Sequence, residues 1–460
     1  MGTTEEKVAH FIVETSDREI GAEAITTAKR SCFDGVGTML AGVASPPGKM
    51  MTTYVKELGG TPESTVVGTG LRTSAPLAAL ANGTFAHALD YDDTGGGFMH
   101  PTCVLLSPLV ALGERLGTSG REIINAYVIG LRVGVALAAG CPNYSQMGSG
   151  FHGTSTFGVM AATAACARLL KLSVEQTMMA LGTAGSMGGG LSQNMGTYTK
   201  PLHAGMASHN GIMACSLARE GWTGTEKVLE SGMGLLGSYA GRNQFNLEAI
   251  RKSLEQPLTV QLIIKKYPCC SGNHATLDSV LSLLKENDIS FEDILRVDVE
   301  NVSHNSSAML YPEPTSGYQG KFSIPYNVAT AMIDKQVNID SFTDEKLNRP
   351  VLRQALSKVV IHEINASDPD YRRRGPEQPV TITLKDGRTF SRATSRGTML
   401  GSPANPLSDA ELMAKFRANG ALSLPREAVD RACDLWWNME KMGSISQGME
   451  AVAGKVPIRA

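Results

Sequence analysis

The chain has 460 residues and carries 42 lysines and arginines against 44 aspartates and glutamates, a formal net charge of −2. This near balance, without any basic run, excludes the charge pattern of a nucleic-acid-binding protein. Because the length exceeds what one hydrophobic core usually supports, two domains or one large domain with an insertion are expected.

The cysteines and the N-terminal segment bear on the compartment. Eight cysteines are scattered without a CxxC pair or a zinc-ligand spacing, which favours free thiols in a reducing environment. The N-terminal MGTTEEKVAHFIVET places acids where a signal peptide has basic residues, and no apolar run reaches the roughly 18 residues of a membrane span. We therefore expect a cytoplasmic protein without nucleic-acid or membrane partners.

Helix signals dominate residues 1–259. Ser119 with Glu122 and Ser173 with Gln176 form capping boxes before apolar segments. The segment APLAALANGTFAHAL follows Ser74 and has a proline in its first turn, a favourable place for a residue without an N–H. The alanine, glycine and methionine content predicts nearly all-apolar helices that pack closely along small faces.

After residue 260 the pattern becomes mixed. Helices are predicted over ATLDSVLSLLKEN and SIPYNVATAMI, and strands over ILRVDVENV, KVVIHEI and PVTITLKDGRTFSRA, where Asp386-Gly387 marks a hairpin turn. The tail, SDAELMAKFRANG and REAVDRACDLWWNMEKM, returns to amphipathic helix. The predicted fold class is mainly α, with a large discontinuous all-helical domain (residues 1–259 and 398–460) and a smaller α+β lid domain (residues 260–397).

The segment HALDYDDTGGGFMHP, residues 87–101, concentrates polar chemistry. Helical spacing predicts His87 and Asp90 on one face, with the later acids and Thr94 near the end of that helix. Three glycines then break the helix and permit close approach to a ligand, and His100 is predicted as the N-cap of the next helix. The acids equally fit a solvated helix end, and the aspartates and histidines could supply metal ligands, although no established metal-binding spacing is present.

Five motifs follow one another along the chain: NGTFAHALDYDDT, HPT, FHGTSTFG, TYTKPLHAGMASHNG and KKYPCCSGNH. Together they resemble the MmgE/PrpD family over most of the chain. The resemblance implies a helical domain completed by the C-terminal tail, a smaller α+β lid domain, a homodimer and no cofactor. Family activities include 2-methylcitrate dehydratase, cis-aconitate decarboxylase and iminodisuccinate epimerase, which move a proton beside a carboxylate of a small polycarboxylate.

The resemblance to the cis-aconitate decarboxylases places active-site groups at Asp90, Thr94, His100, His152, Lys200 and Lys265. A polycarboxylate substrate needs cationic donors, which these lysines and histidines, together with Lys266, can supply. His152 precedes a helix whose N-terminus attracts anions, and a desolvated lysine such as Lys265 can act as a base. Each residue also fits a plainer role: Lys200 as a solvated helix start, His152 as a loop residue, and the two neighbouring lysines as an exposed basic pair.

Two positions depart from the better-known branches of the family. The chain reads HPTC at His100–Cys103 where the dehydratases typically read HPSD, which weakens the dehydratase interpretation. Cys270, four residues before His274, stands where the animal decarboxylases have a catalytic-site histidine, and a thiol is a poor substitute for an imidazolium. Fungal decarboxylases carry a cysteine pair at this point, so decarboxylation is weakened only slightly.

The function predicted from the sequence is epimerisation of an iminodisuccinate-type substrate without metal or cofactor. Lys265 would act on one face of the substrate carbon, and Tyr144, in the polar loop before His152, on the other. Asp90 would orient a histidine or accept a proton, while Thr94, Lys200, Cys270 and His274 would line the binding site. The alternatives are a dehydratase or decarboxylase of a tricarboxylate, of the 2-methylcitrate or cis-aconitate type, and a binding protein without catalysis.

Overall fold

A computed structural model describes residues 2–141, 150–242, 244–302, 309–364 and 377–454. The chain divides into two compact units. The first, the helical unit, consists of Met1–Gln193, Tyr198–Leu262 and Ser408–Ala460; the second, the α+β unit, consists of Asn194–Thr197 and Ile263–Leu407. The boundaries expected from the sequence, at 259/260 and 397/398, lie three and ten residues before the divisions at 262/263 and 407/408.

The helical unit is built from helices joined by short connections. Up to residue 254 they are α1 (Thr4–Glu14), α2 (Ala22–Val43), α3 (Pro46–Leu58), α4 (Ala75–His87), α5 (Pro101–Leu116), α6 (Gly120–Ala139), α7 (Gly153–Leu169), α8 (Val174–Ala184), α9 (Thr199–Arg219), α10 (Leu235–Ala240) and α11 (Leu247–Leu254). Short strand segments accompany them: β1 (Ser64–Val66), β2 (Leu71–Thr73), β3 (Thr94–Gly95) and β4 (Leu262–Ile263).

Local sequence signals explain where several of these helices begin. The Ser119 and Ser173 side chains accept hydrogen bonds from the backbone N–H groups of Glu122 and Gln176, so both predicted capping boxes are confirmed. Close packing along small faces is also confirmed, because α4 and α9 meet where a Cβ on Gly83 would lie 3.0 Å from the Gly205 Cα. This contact places the C-terminal half of α4 beside the second turn of α9.

The expectation that no apolar segment reaches the length of a membrane span does not hold for helix α6. Its 20 residues are long and apolar enough to cross a bilayer by length and composition. However, 83 % of its most apolar window is buried inside the protein. A buried core helix has the same properties, so the helix is only weak evidence for a membrane segment.

The α+β unit contains a four-stranded sheet in the order β6-β5-β7-β8, with β5 parallel to β6 and antiparallel to β7. Its strands are β5 (Ile294–Val302), β6 (Val359–Ile364), β7 (Glu377–Leu384) and β8 (Thr389–Ser395). Its helices are α12 (His274–Glu286), α13 (Gly317–Gly320), α14 (Ile324–Asp334), α15 (Asp344–Leu347) and α16 (Pro350–Leu356). Gly387 has φ +90° in the β7–β8 connection, which agrees with the predicted hairpin turn.

The C-terminal segment returns to the helical unit through α17 (Asp409–Gly420), α18 (Arg426–Trp437) and α19 (Ser446–Ala451). Helix α17 packs on α2, where Phe416 stacks on Phe33 with ring centroids 4.4 Å apart. Beside them the buried Lys415 and Asp34 form an ion pair of 2.8 Å. The predicted fold class, a large helical domain with a smaller α+β domain, is confirmed.

Candidate active site

The acid-rich segment leaves helix α4 earlier than predicted. The helix ends at His87, so the expectation that it continues toward Asp93 and Thr94 is wrong. The Asp90 N–H donates to the His87 carbonyl, and Asp90 itself has φ +52°, a left-handed conformation that costs on the order of 1 kcal/mol for a non-glycine residue. Contacts around Asp90 must offset that cost, as is common at functional sites.

Four side chains then form a continuous buried chain. Both carboxylate oxygens of Asp92 accept from His87 Nδ1, at 2.9 and 3.0 Å. The other ring nitrogen, His87 Nε2, lies 2.9 Å from Lys200 Nζ, which also donates to Asp90 Oδ1 at 2.7 Å. Because all four residues are buried, the alternative of a solvated helix end is excluded for these acids, as is that of a solvated lysine for Lys200.

The charges of this chain follow from its contacts. Burial, above all, lowers the pKa of His87 and favours a neutral ring, which donates from Nδ1 to Asp92 and accepts at Nε2 from Lys200. Burial alone would raise the pKa of Asp92, but the His87 and His100 rings hold it well below its usual range. The result is an ionised Asp92 joined through a neutral imidazole to the Lys200 ammonium group.

His100 is the N-cap residue of α5, as predicted, and its ring lies against His87 with centroids 4.3 Å apart. Its Nδ1 lies 2.9 Å from the Asp93 carbonyl oxygen and 3.5 Å from a carboxylate oxygen of Asp92. Its Nε2 faces Asp90 Oδ1 at 3.7 Å. Since oxygen acceptors face both nitrogens, this site stabilises an imidazolium, the form of histidine that can act as an acid.

Asp93 has a separate, structural set of contacts. One oxygen accepts from the Thr102 backbone N–H at 3.1 Å and the other from the Thr102 hydroxyl, which lies 2.6 Å from the Tyr127 hydroxyl. Burial in the first place, and also the neighbouring Asp92, raise the pKa of Asp93 to about 7 despite the hydrogen bonds from Thr102. Asp93 therefore ties the acid-rich segment to the first turn of α5.

His152 lies at the N-cap of α7, with its ring centroid 5.9 Å from that of His87 and 6.2 Å from that of His100. Its Nδ1 lies 3.1 Å from Nδ1 of His203 on α9. Among the residues that the structure describes, His152 Nε2 is buried with no hydrogen-bond partner. Because burial of this kind is costly for a polar atom, the arrangement suits a ring that completes its contacts with a ligand.

The same histidines and acids raise the question of a metal. One ligand atom from each of His87, Asp90, Asp92 and His100 lies within 4.8 Å of the others. Lys200 Nζ already bonds to His87 and Asp90, so a divalent cation there would have to displace an ammonium group or lie next to it. The residues fit a proton-transfer and carboxylate-binding site better than a metal centre, and the absence of metal and cofactor stays a prediction.

The net charge of the cluster is small. The Asp90 and Asp92 carboxylates lie beside Lys200 and His100, so an ammonium group and an imidazolium there would be balanced by two negative charges. Asp93, with its pKa raised to about 7, carries only part of a charge at neutral pH. A substrate with several carboxylates therefore requires further cations, which is the role predicted for Lys265 and Lys266.

The structure brings together four of the predicted residues within the helical unit: Asp90, His100, His152 and Lys200. Thr94 is buried in β3, directly after Asp93. Another four belong to the α+β unit, so their part in the site stays a prediction: Lys265, Lys266, Cys270 and His274. Tyr144 lies outside the described residues.

Sequence reasoning missed four residues of the cluster as site residues: His87, Asp92, Asp93 and His203. The three acids look alike in the sequence, and only tertiary contacts separate their roles. A helical spacing could have indicated His203, because it follows Lys200 by three residues and so lies on the same face of α9.

Cys103 occupies the position where the dehydratase branch typically has an aspartate. The thiol is buried and donates to the His100 carbonyl oxygen at 3.2 Å. Burial first, and then the Asp92 and Asp93 carboxylates, raise the pKa of Cys103 well above its ordinary value. The side chain is therefore a neutral thiol, which supplies neither the charge nor the acceptor oxygens of an aspartate.

Two domains of one protein family are recognised in this chain. The MmgE/PrpD N-terminal domain matches residues 6–248 and the MmgE/PrpD C-terminal domain matches residues 267–439. The chain is 29 % identical to the cis-aconitate decarboxylase of Mus musculus, over 88 % of this chain and 84 % of the relative. It is also 29 % identical to the Homo sapiens cis-aconitate decarboxylase, over 94 % and 91 % of the two chains. The Aspergillus terreus cis-aconitate decarboxylase is 24 % identical, over 98 % and 95 %. With both domains matched in order, the chain belongs to the MmgE/PrpD family.

Proposed function

We propose that this protein is a cofactor-independent carboxy-lyase that decarboxylates cis-aconitate or a closely related tricarboxylate. The observation that carries the proposal is the buried chain from Asp92 through His87 and Lys200 to Asp90, with His100 against it. Relatives aligned over most of the chain are cis-aconitate decarboxylases, which supports this reaction.

The reaction needs one proton per turnover. A C–C bond to one carboxylate breaks and carbon dioxide leaves. The electron pair shifts into a new double bond, and the carbon beside another carboxylate takes a proton. A tricarboxylate trianion and one proton thus give a dicarboxylate dianion and carbon dioxide. His100 is the proton donor in this proposal, because Asp90 and Asp92 favour its protonated form, and Lys200 holds a substrate carboxylate.

The other activities considered have less support. The neutral Cys103 thiol, at the position of the dehydratase aspartate, argues against dehydration of 2-methylcitrate. The epimerase interpretation relies on Lys265 and Tyr144, and the relatives named above carry a different activity. Decarboxylation therefore replaces epimerisation as the preferred function, while the homodimer and the cytoplasmic location remain predictions.

A substrate panel in deuterium oxide separates these reactions. Purified protein is incubated with cis-aconitate, 2-methylcitrate or iminodisuccinate, while proton NMR follows the products and a coupled assay follows carbon dioxide. We expect a five-carbon unsaturated dicarboxylate and equimolar carbon dioxide from cis-aconitate. This activity should be lost in His100→Asn and kept in His10→Asn, which alters an exposed histidine. Deuterium uptake by iminodisuccinate without carbon dioxide release would instead establish epimerisation.

A further inference from the structure

His203 lies behind His152, on the second turn of α9. Both histidines are buried, and their Nδ1 atoms are 3.1 Å apart. His203 lies three residues after Lys200, so the helix that presents the lysine to His87 and Asp90 also presents this ring to His152. One rigid helix therefore fixes both the contacts of Lys200 and the contact between His203 and His152.

The glycine-rich segment after α8 leaves room for this pair. The His152 N–H donates to the Gly190 carbonyl oxygen at 2.8 Å. A Cβ on Gly190 would lie 3.0 Å from both Cγ and Nδ1 of His203, closer than carbon normally packs. The segment thus fixes the backbone of His152 and closely contacts the ring of His203.

The proton between the two rings can be assigned by counting donors. Burial above all, followed by the nearby Lys200, lowers the pKa of His152 well below its ordinary value, so the ring is neutral. Burial, then His87 and Lys200, lower the pKa of His203 to about 4. At a separation of 3.1 Å one Nδ1 must donate and the other accept, because two N–H groups or two lone pairs would repel.

The chemistry of a carboxylate ligand decides which of His152 and His203 donates the hydrogen bond between them. His152 Nε2 is buried with no partner among the described residues, next to His87, His100 and Lys200. A carboxylate offers only acceptor oxygens, so it can bond to His152 only when Nε2 carries the proton. A neutral His152 protonated at Nε2 has a lone pair at Nδ1, which requires His203 to donate.

We propose that His203 is a positioning residue that holds His152 as the Nε2–H tautomer, so that His152 donates a hydrogen bond to a carboxylate of the substrate. The proposal deepens the proposed function and rests on it for the identity of the substrate. It assigns a role to a residue that does not itself touch the substrate.

Two substitutions of His203 separate positioning from packing. In His203→Asn the amide nitrogen can take the place of Nδ1 and still donate to His152, whereas His203→Leu fills space without a donor. We expect the KM for cis-aconitate to rise roughly tenfold or more in the leucine variant and to stay within about threefold of the parent in the asparagine variant, with kcat less affected in both. His10→Asn serves as the control histidine substitution.

Two measurements that do not depend on turnover accompany the kinetics. Nitrogen-15 NMR of histidine-labelled protein, assigned with the His152→Asn and His203→Asn variants, reports the tautomer of His152. Calorimetry reports binding of tricarballylate, a saturated tricarboxylate. Its Kd should rise in the leucine variant as the KM does.

A parent spectrum with the proton on Nδ1 of His152, or a leucine variant that binds tricarballylate as the parent does, would overturn the proposal. Tight tricarballylate binding with the expected tautomer but no turnover of cis-aconitate would refute only the proposed reaction. If His203→Leu does not fold, the parent spectrum and the asparagine variant still decide.

Discussion

Asp93 offers an unusual prediction, because replacing a buried, hydrogen-bonded carboxylate should stabilise the protein at alkaline pH. In Asp93→Asn the amide oxygen can accept from the Thr102 N–H as the carboxylate does. The amide nitrogen can donate to the Thr102 hydroxyl, which remains free to donate to the Tyr127 hydroxyl. The substitution therefore removes a buried charge while the hydrogen bonds to both groups of Thr102 can still form.

The magnitude follows from the pKa of Asp93, which burial raises from an ordinary 3.8 to about 7. A raised pKa means that the folded state keeps the proton longer than the unfolded state does. The contribution of Asp93 to the free energy of unfolding is therefore fully present below about pH 4, falls as the pH rises, and levels off once the pH has passed about 7. At about 1.4 kcal/mol per pKa unit the loss amounts to about 4 kcal/mol, of which about 3 kcal/mol falls between pH 5 and pH 8.

Tryptophan fluorescence reports this change selectively, because the chain's three tryptophans all belong to the helical unit. Urea unfolding at intervals from pH 5 to pH 8 should show that the stability of Asp93→Asn, relative to the parent, increases with pH by about 3 kcal/mol. Equal pH dependence in the two proteins would refute the assignment of a buried, late-titrating carboxyl to Asp93.

The adjacent Asp92 is the matched control. The His87 and His100 rings hold its pKa well below the usual range, so its contribution to stability is present above the unfolded pKa near 4 and is lost only in stronger acid. Asp92→Asn should therefore destabilise the helical unit at pH 7, the opposite of Asp93→Asn. A stabilising effect of both substitutions at pH 8 would mean that the two acids do not differ as described.

Three other substitutions test the remaining contacts. Lys200→Met leaves the buried Asp90 carboxylate without its ammonium partner, so stability should fall by about 3 kcal/mol and kcat/KM for cis-aconitate by at least about 100-fold. Adding Asp90→Asn should restore stability without restoring activity. Lys415→Met breaks the ion pair with Asp34 and should lower the free energy of unfolding by about 3 kcal/mol in the same urea assay. The control Lys252→Met removes an exposed lysine and should change the free energy of unfolding by less than about 0.5 kcal/mol. Cys103→Ala removes a neutral thiol, so kcat/KM should stay within about threefold of the parent, and a larger loss would show that this thiol takes part in the reaction.

The fold was largely predictable because its signals are local. Capping residues such as Ser119 and Ser173 act on backbone groups three residues away, and a period of two defined β5. Small residues such as Gly83 indicated close helix packing without revealing which helices meet. That pairing depends on tertiary contacts and emerges only from the structure.

The site was less predictable because its residues are defined by distant partners. The glycines that signal a helix end begin only at Gly95, whereas the helix stops at His87, where Asp90 and Asp92 bond to Lys200 and His87. Propensity cannot anticipate a backbone that is held in a left-handed conformation by such contacts. The role of His203 likewise depends on a ring 51 residues away in the sequence.

A crystal structure of the protein with bound tricarballylate would test the central claim most directly. We predict that its carboxylates contact His152 Nε2 and Lys200, with His100 within hydrogen-bond reach of the ligand. The helical unit also has a separate pocket of about 270 Å³, lined by residues that include Glu122, Arg168 and Lys171. Tricarballylate bound there, or anywhere else with the cluster around Lys200 unoccupied, would contradict the account.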